Sequence, residues 1–152
     1  MKRFLIALIL LLATSSAWAQ TYMLLPIVEV YDGDTIKTDL SWRMPYPLNK
    51  ISIRIDGIDT PEMPAKSYAT TGKLGRSHCI KEAELALAAK ARLVELIGTN
   101  TKMKVYNFKY GKWAGRIVAD VKIGGIDIAK TLIKEGFAVE YYGSGPKQDW
   151  CQ

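Results

Sequence analysis

Imidazole and thiolate metal ligands are almost missing from this chain. One histidine, His78, and two cysteines, Cys79 and Cys151, are all that 152 residues supply. A zinc centre built from nitrogen and sulfur donors is therefore a poor fit. Long apolar runs are missing too. The one such stretch, residues 4–13, is about half as long as the roughly twenty residues that cross a bilayer. No internal repeat or low-complexity segment is present, which removes solenoid and linker architectures. Nor does one sign of charge dominate. Lys and Arg number 21 against 15 Asp and Glu, a formal charge of +6. That excess suits a polyanionic partner without establishing one. What is there is an ordinary globular composition, 24% charged and 49% hydrophobic, long enough for one domain.

Residues 1–19 have the make-up of a secretory signal: Lys2 and Arg3, the apolar run, then Ala17 and Ala19 around Trp18 at the cleavage positions. Gln20 is the expected mature start, and 20–152 the single folded domain; a membrane anchor is the alternative reading of the same residues. No cysteine follows the small-residue site, so lipid attachment there is not expected. Loss of Lys2 and Arg3 lowers the formal charge from +6 to +4. The protein is expected to be exported, either periplasmic or secreted, with no membrane association after cleavage. In that oxidising setting Cys79 and Cys151 are expected to form a disulfide. It would pin the C-terminal end to a helix that begins near Cys79. By the chain-entropy model, closing so long a loop contributes about 4 to 5 kcal/mol.

Apolar residues at 23–30 predict a first strand, and Ile36, Thr38 and Leu40 alternating with Lys37 and Asp39 predict its return. Asp32 and Gly33 lie between them, an Asp–Gly pair of the kind that marks a hairpin. Residues 41–49 hold prolines and aromatics and predict a long loop. In the next strand Ile51, Ile53 and Ile55 share the buried face, leaving Ser52 and Arg54 on the open one. Residues 63–77 show no period and predict a basic loop. A helix is predicted over 78–97, with Ile80, Ala83, Leu87, Val94 and Ile97 inward and Gly98 ending it. Strands at 103–108 and 116–123, a short helix over 127–135 and an extended piece at 137–142 complete the chain. Mainly β with helices, this order fits a five-stranded barrel of the OB type capped by an α-helix.

Candidate chemistry gathers after the third strand. Asp56 and Gly57 bend the chain, and Thr60 before Pro61 stops any regular element. One strand end then carries a guanidinium, Arg54, and shortly afterwards two carboxylates, Asp59 and Glu62. Such a rim can bind a divalent metal and a phosphate together. The same residues also read as a polar turn with a surface ion pair.

Three motifs in order carry a resemblance: Asp32, Gly33, Asp34 and Thr35; Arg54 ahead of Asp59, Thr60, Pro61 and Glu62; and Gly115 with Arg116 opening a strand. Over residues 28–142 the chain resembles the staphylococcal nuclease family. The resemblance implies an OB-fold hydrolase, a monomer, that cleaves phosphodiester bonds of DNA and RNA with one calcium ion and leaves 3′-phosphate ends. It implies that Asp34 and Asp59 ligate the metal through carboxylates and Thr60 through its carbonyl. Glu62 would hold the attacking water, Arg54 and Arg116 would clamp the phosphate, and Tyr142 and then Tyr110 would stack on bases. Physical chemistry agrees: calcium takes six to eight hard oxygens, and forked, permanently charged guanidinium groups suit the charge that builds on phosphate oxygens.

The second arginine depends on register. Counting back from Gly125 and Gly136 selects Arg116, the favoured reading, whereas counting forward from Tyr110 and Gly111 selects Lys112. The 41–49 excursion is longer than the family's usual hairpin. The family's C-terminal helix is absent or a stub, its anchoring role falling to the Cys79–Cys151 bond. A non-catalytic OB module that binds nucleic acid or a protein is the rival reading.

Overall fold

The computed structural model describes residues 21–43 and 49–152. The signal reading of residues 1–19, the start at Gln20 and the middle of the 41–49 excursion lie outside the described residues. In chain order come β1 (Tyr22–Pro26), β2 (Glu29–Asp32), β3 (Thr35–Asp39), β4 (Lys50–Ile55), β5 (Ile58–Asp59), α1 (Tyr68–Thr71) and α2 (Ile80–Ile97). β6 (Lys102–Tyr110), β7 (Arg116–Ile123), β8 (Ile126–Asp127), α3 (Ile128–Lys134) and β9 (Val139–Glu140) follow.

Hydrogen bonds order the main sheet β1–β6–β7–β4–β3–β2, with β8 attached to β7. Among the described residues only the β4–β7 ladder is parallel. The two end strands are the halves of one predicted strand, broken at Ile27 and Val28. The Ile27 amide donates to the Thr101 carbonyl at 2.9 Å, and the next amide, Val28, donates to the Lys37 carbonyl at 3.0 Å. Consecutive residues thus bond to opposite ends of the sheet, which curls it around one core. The mainly β, OB-like expectation holds, but the five-stranded closed barrel needs correction. No ladder joins β1 to β2, and the short β5, β8 and β9 raise the strand count. Leu25, Ile36, Ile53, Ile55, Val105 and Val121 fill the inside of the curl. Each such buried aliphatic side chain contributes about 1.5 to 3 kcal/mol of transfer free energy.

α2 covers the core with a face that keeps Ala83 and Ile97 of the expected stripe and turns the rest of it outward. Ala83, Ala86, Ala89, Leu93, Leu96 and Ile97 are buried, whereas Ile80, Leu87 and Val94 are exposed. Small residues win the inner face because the backbone of the β2–β3 turn comes so near. A Cβ on Gly33 would lie 2.9 Å from the Ala89 Cβ and 3.0 Å from the Thr60 Cβ. Gly33 has no left-handed φ, so its glycine is demanded by packing and not by turn geometry. Gly33→Ala is expected to destabilise the fold by about 1 to 3 kcal/mol, the usual cost of overpacking, read from urea unfolding midpoints. The loop before α2 also holds more order than a period-free segment suggests. α1 interrupts it, and the Ala65 amide bonds the Lys73 carbonyl at 3.3 Å.

Cys79 caps α2: its sulfur accepts the Glu82 amide at 3.3 Å. Glu82, buried, accepts in return from the His78 amide at 2.6 Å and from the Glu62 amide at 3.2 Å. Cys79 and Glu82 stand as N-cap and third helical residue, and the Glu82 carboxylate, by taking the amides of His78 and Glu62, ties the helix start to the strand-end loop. His78 is a helix-start surface residue, its Nδ1 3.0 Å from Glu82. Arg92 on α2 grips Glu135 beyond α3 through two bonds of 2.7 and 2.9 Å. The expected disulfide is present, joining Cys79 to Cys151 with Cα atoms 6.0 Å apart.

Candidate active site

Three segments bring the acidic groups together. The β2–β3 turn supplies Asp32 and Asp34, and β5 with the loop after it supplies Asp59, Thr60 and Glu62. β4 sends Arg54 outward between them, as its alternation requires. Arg54 Nη1 pairs with Asp34 Oδ1, while Nη2 donates to Asp59 Oδ1 and to the Ile58 carbonyl, both at 3.0 Å. The other Asp34 oxygen accepts the Thr60 amide at 3.2 Å and the Thr60 hydroxyl at 3.0 Å. Asp34 is almost wholly buried. Burial pushes its carboxyl up to about 7, against the pull of Arg54. For Arg54 burial works the other way, and Asp34 and Asp59 outweigh it, so that its pKa is raised.

Glu62, one third exposed, stands between two cations. Arg76 Nη1 is 3.4 Å from Glu62 Oε2, and its Nη2 is 3.4 Å from Asp32 Oδ2. Lys147 Nζ is 3.0 Å from Asp59 Oδ1 and 3.2 Å from Glu62 Oε1. Burial lowers the Lys147 pKa less than these two carboxylates raise it. Arg76, Glu82 and Lys147 are thus neighbours of the cluster that sequence reasoning did not single out, and Asp32, named there only as a motif residue, is another. For Glu82 a signal existed, the spacing of Cys79 and Glu82 as N-cap and third helical residue. For Lys147, in a tail of Gly, Ser and Pro, there was none.

The candidate phosphate and base contacts lie to one side. Arg116 opens β7 opposite Ser52, one pleat before the Arg54–Val118 pair, and so shares the open face with Arg54. Gly111 packs on it: a Cβ there would lie 2.9 Å from the Arg116 carbonyl and 3.1 Å from its Cγ. Among the described residues no carboxylate pairs with Arg116. A cavity of about 220 Å³ is lined by Arg54, Lys109, Tyr110, Lys112, Tyr141 and Tyr142, among others. Lys112 reaches this cavity and Arg116 does not line it. Tyr110 is 97% exposed and Tyr142 71% exposed, so their rings are open to a partner. Lys109 is held by Asp56 at 2.9 Å.

Donor chemistry suits a hard cation, because Asp34, Asp59, Glu62 and the Thr60 carbonyl offer only oxygen. Two carboxylate oxygens, from Asp59 and Glu62, already converge on one positive charge, the Lys147 ammonium. As the side chains stand, no group of three or more acidic, histidine or cysteine residues among the described ones is arranged to hold a metal ion. Asp34 is engaged instead by Arg54 and Thr60.

The raised Asp34 pKa has a consequence for stability. Between the ordinary carboxylate value of 3.8 and about 7 the folded protein keeps a proton that the unfolded chain has released. The contribution of this group is therefore fully present below 3.8 and is lost as pH rises through about 7. Urea midpoints of the wild type are expected to fall across that window, and Asp34→Asn to show a shallower fall.

A curled mainly β sheet with a helical cap and a rim of acids bridged by one arginine defines a small OB-like domain of the nuclease type. The sequence model of the family described as staphylococcal nuclease homologue matches residues 52–150, more than half of the chain, and the chain belongs to that family. Arg54, Asp59, Glu62, Arg116 and Lys147 fall inside the match; Asp32 and Asp34 precede it. No curated protein matches the chain. Among the described residues no helix is long and apolar enough to cross a membrane.

Proposed function

We propose that this protein is an exported, monomeric, calcium-dependent phosphodiesterase that hydrolyses DNA or RNA without base specificity and leaves 3′-phosphate ends. One observation carries the reading: Asp34, Arg54 and the loop that holds Asp59 and Glu62, three segments in all, meet at one rim beside an aromatic cavity, Glu62 joined to Asp59 through Lys147. Asp34, Asp59 and the Thr60 carbonyl would hold the ion, which supplies charge neutralisation at the phosphate when bound. Arg54 and Arg116 donate forked hydrogen bonds to the phosphate oxygens as negative charge builds on them. Glu62 orients the attacking water and receives its proton. Tyr142 and Tyr110 stack on bases, which is tolerant of sequence because every base has a π-face. The disulfide supports an oxidising compartment, periplasmic or extracellular.

Purified 20–152 is to be incubated with single-stranded DNA and with RNA, in calcium and in chelator. Shortened products ending in 3′-phosphate in calcium alone are expected; intact substrate in calcium would refute the assignment.

A second reading, a non-catalytic OB module, is favoured by one feature: Arg54, Arg76 and Lys147 already neutralise the acids from within. It requires nucleic-acid binding without turnover, unchanged by Asp34→Ala.

A further inference from the structure

Beyond β9 the chain turns back over the rim. Asp59 itself pairs with Val139 in the β5–β9 ladder, so the strand that carries a candidate ligand also aims the tail. Gly143 and Gly145 adopt left-handed φ values of 84° and 85°, conformations that favour glycine, and Pro146 follows them. Lys147 then lands between Asp59 and Glu62 at 3.0 and 3.2 Å, its ammonium 5.9 Å from the centre of the Tyr141 ring. Past Lys147 the tail is fastened by the Cys79–Cys151 bond to the N-terminus of α2. Glu82 on the first turn of that helix holds the Glu62 amide. The lysine and the glutamate it meets are therefore anchored to the same helix end. A lysine whose side chain is about half exposed ordinarily leaves its head in water, yet this one is turned onto a carboxylate that is 3% exposed.

We propose that Lys147 is a resident counter-ion of the candidate metal site, tethered by the Cys79–Cys151 bond, and that a divalent cation binds only by displacing it. This rests on the metal-dependent reading above. Two positive charges compete for the same Asp59 and Glu62 oxygens, so the tail and the ion each weaken the other's hold by the same factor. The disulfide makes the competition intramolecular and keeps the lysine at high local concentration. Apparent ion affinity is reduced by the fraction of molecules in which the lysine is seated.

Calcium binding measured by isothermal titration calorimetry tests the proposal without any substrate. Lys147→Gln is expected to lower the calcium Kd about three- to tenfold relative to wild type, the range open to two partly exposed ion pairs. The paired variant Cys79→Ser with Cys151→Ser is expected to lower it too while keeping every charge. Serine at position 79 can still cap α2. Lys130→Gln, which removes a charge that stands by Asp127 instead, is expected to leave the Kd unchanged. Acetylation of Lys147, followed by mass spectrometry, is expected to be slow in chelator and to speed up in calcium. Equal calcium affinities for wild type and Lys147→Gln would overturn the proposal while leaving the metal-dependent reading intact, as would calcium-independent labelling. Failure of all variants to bind calcium would overturn both.

Discussion

Arg54→Ala is expected to lower kcat/KM on single-stranded DNA by about a hundred- to a thousandfold, the loss found when a donor to developing charge is removed. The same change is expected to cost stability. Arg54 pairs with Asp34 and Asp59, whose side chains are 1% and 3% exposed, and its own is 20% exposed. Removing one partner of a buried ion pair typically costs about 3 to 5 kcal/mol, because the remaining charge is left without compensation. Here the cost falls towards the low end, since Asp34 can keep a proton at neutral pH. Arg54→Lys separates the two effects: an ammonium restores charge but cannot reach both carboxylates and the Ile58 carbonyl as the fork does. It is expected to recover more stability than activity. Steady-state kinetics and urea unfolding on the same three proteins measure both. Arg54→Ala with wild-type kcat/KM would show that the arginine serves only the fold.

Arg116→Ala is the second large effect, and it has the opposite profile. A loss of about 3 to 4 kcal/mol of transition-state stabilisation is expected. Stability should change little, because no carboxylate among the described residues pairs with this guanidinium. Lys112→Ala is the informative companion. Lys112 lines the cavity that Arg54 and Tyr142 share, whereas Arg116 stands one pleat behind Arg54 on the parallel neighbour strand. If substrate draws Arg116 to the phosphate, kcat falls in Arg116→Ala, and Lys112→Ala changes KM alone. The reverse outcome would assign the clamp to Lys112 and move the register of the 109–115 turn.

Legibility in the sequence followed the range of the physics. Local alternation told which face of β4 Arg54 would occupy, and the motif residues located the acids. The buried face of α2 was read correctly at Ala83 and Ile97 and misread at Ile80, Leu87 and Val94, which form a tempting apolar line. Which residues go inward is decided across the molecule, by the approach of Gly33 to Ala89 and Thr60. The break of the first strand at Ile27 depends on two partners, Thr101 and Lys37, that are distant in the chain. Lys147 was out of reach for the same reason: its meeting with Asp59 follows from the β5–β9 ladder and the disulfide together.

A crystal structure with calcium and a nucleoside 3′,5′-bisphosphate is the most direct measurement. It should show the ion on the Asp34 and Asp59 carboxylates, a phosphate gripped by Arg54 and Arg116, and the Lys147 ammonium withdrawn. An ion or phosphate bound elsewhere, with Arg54 still locked to Asp34 and Lys147 to Asp59, would contradict the assignment of this rim as a phosphodiester-cleaving centre.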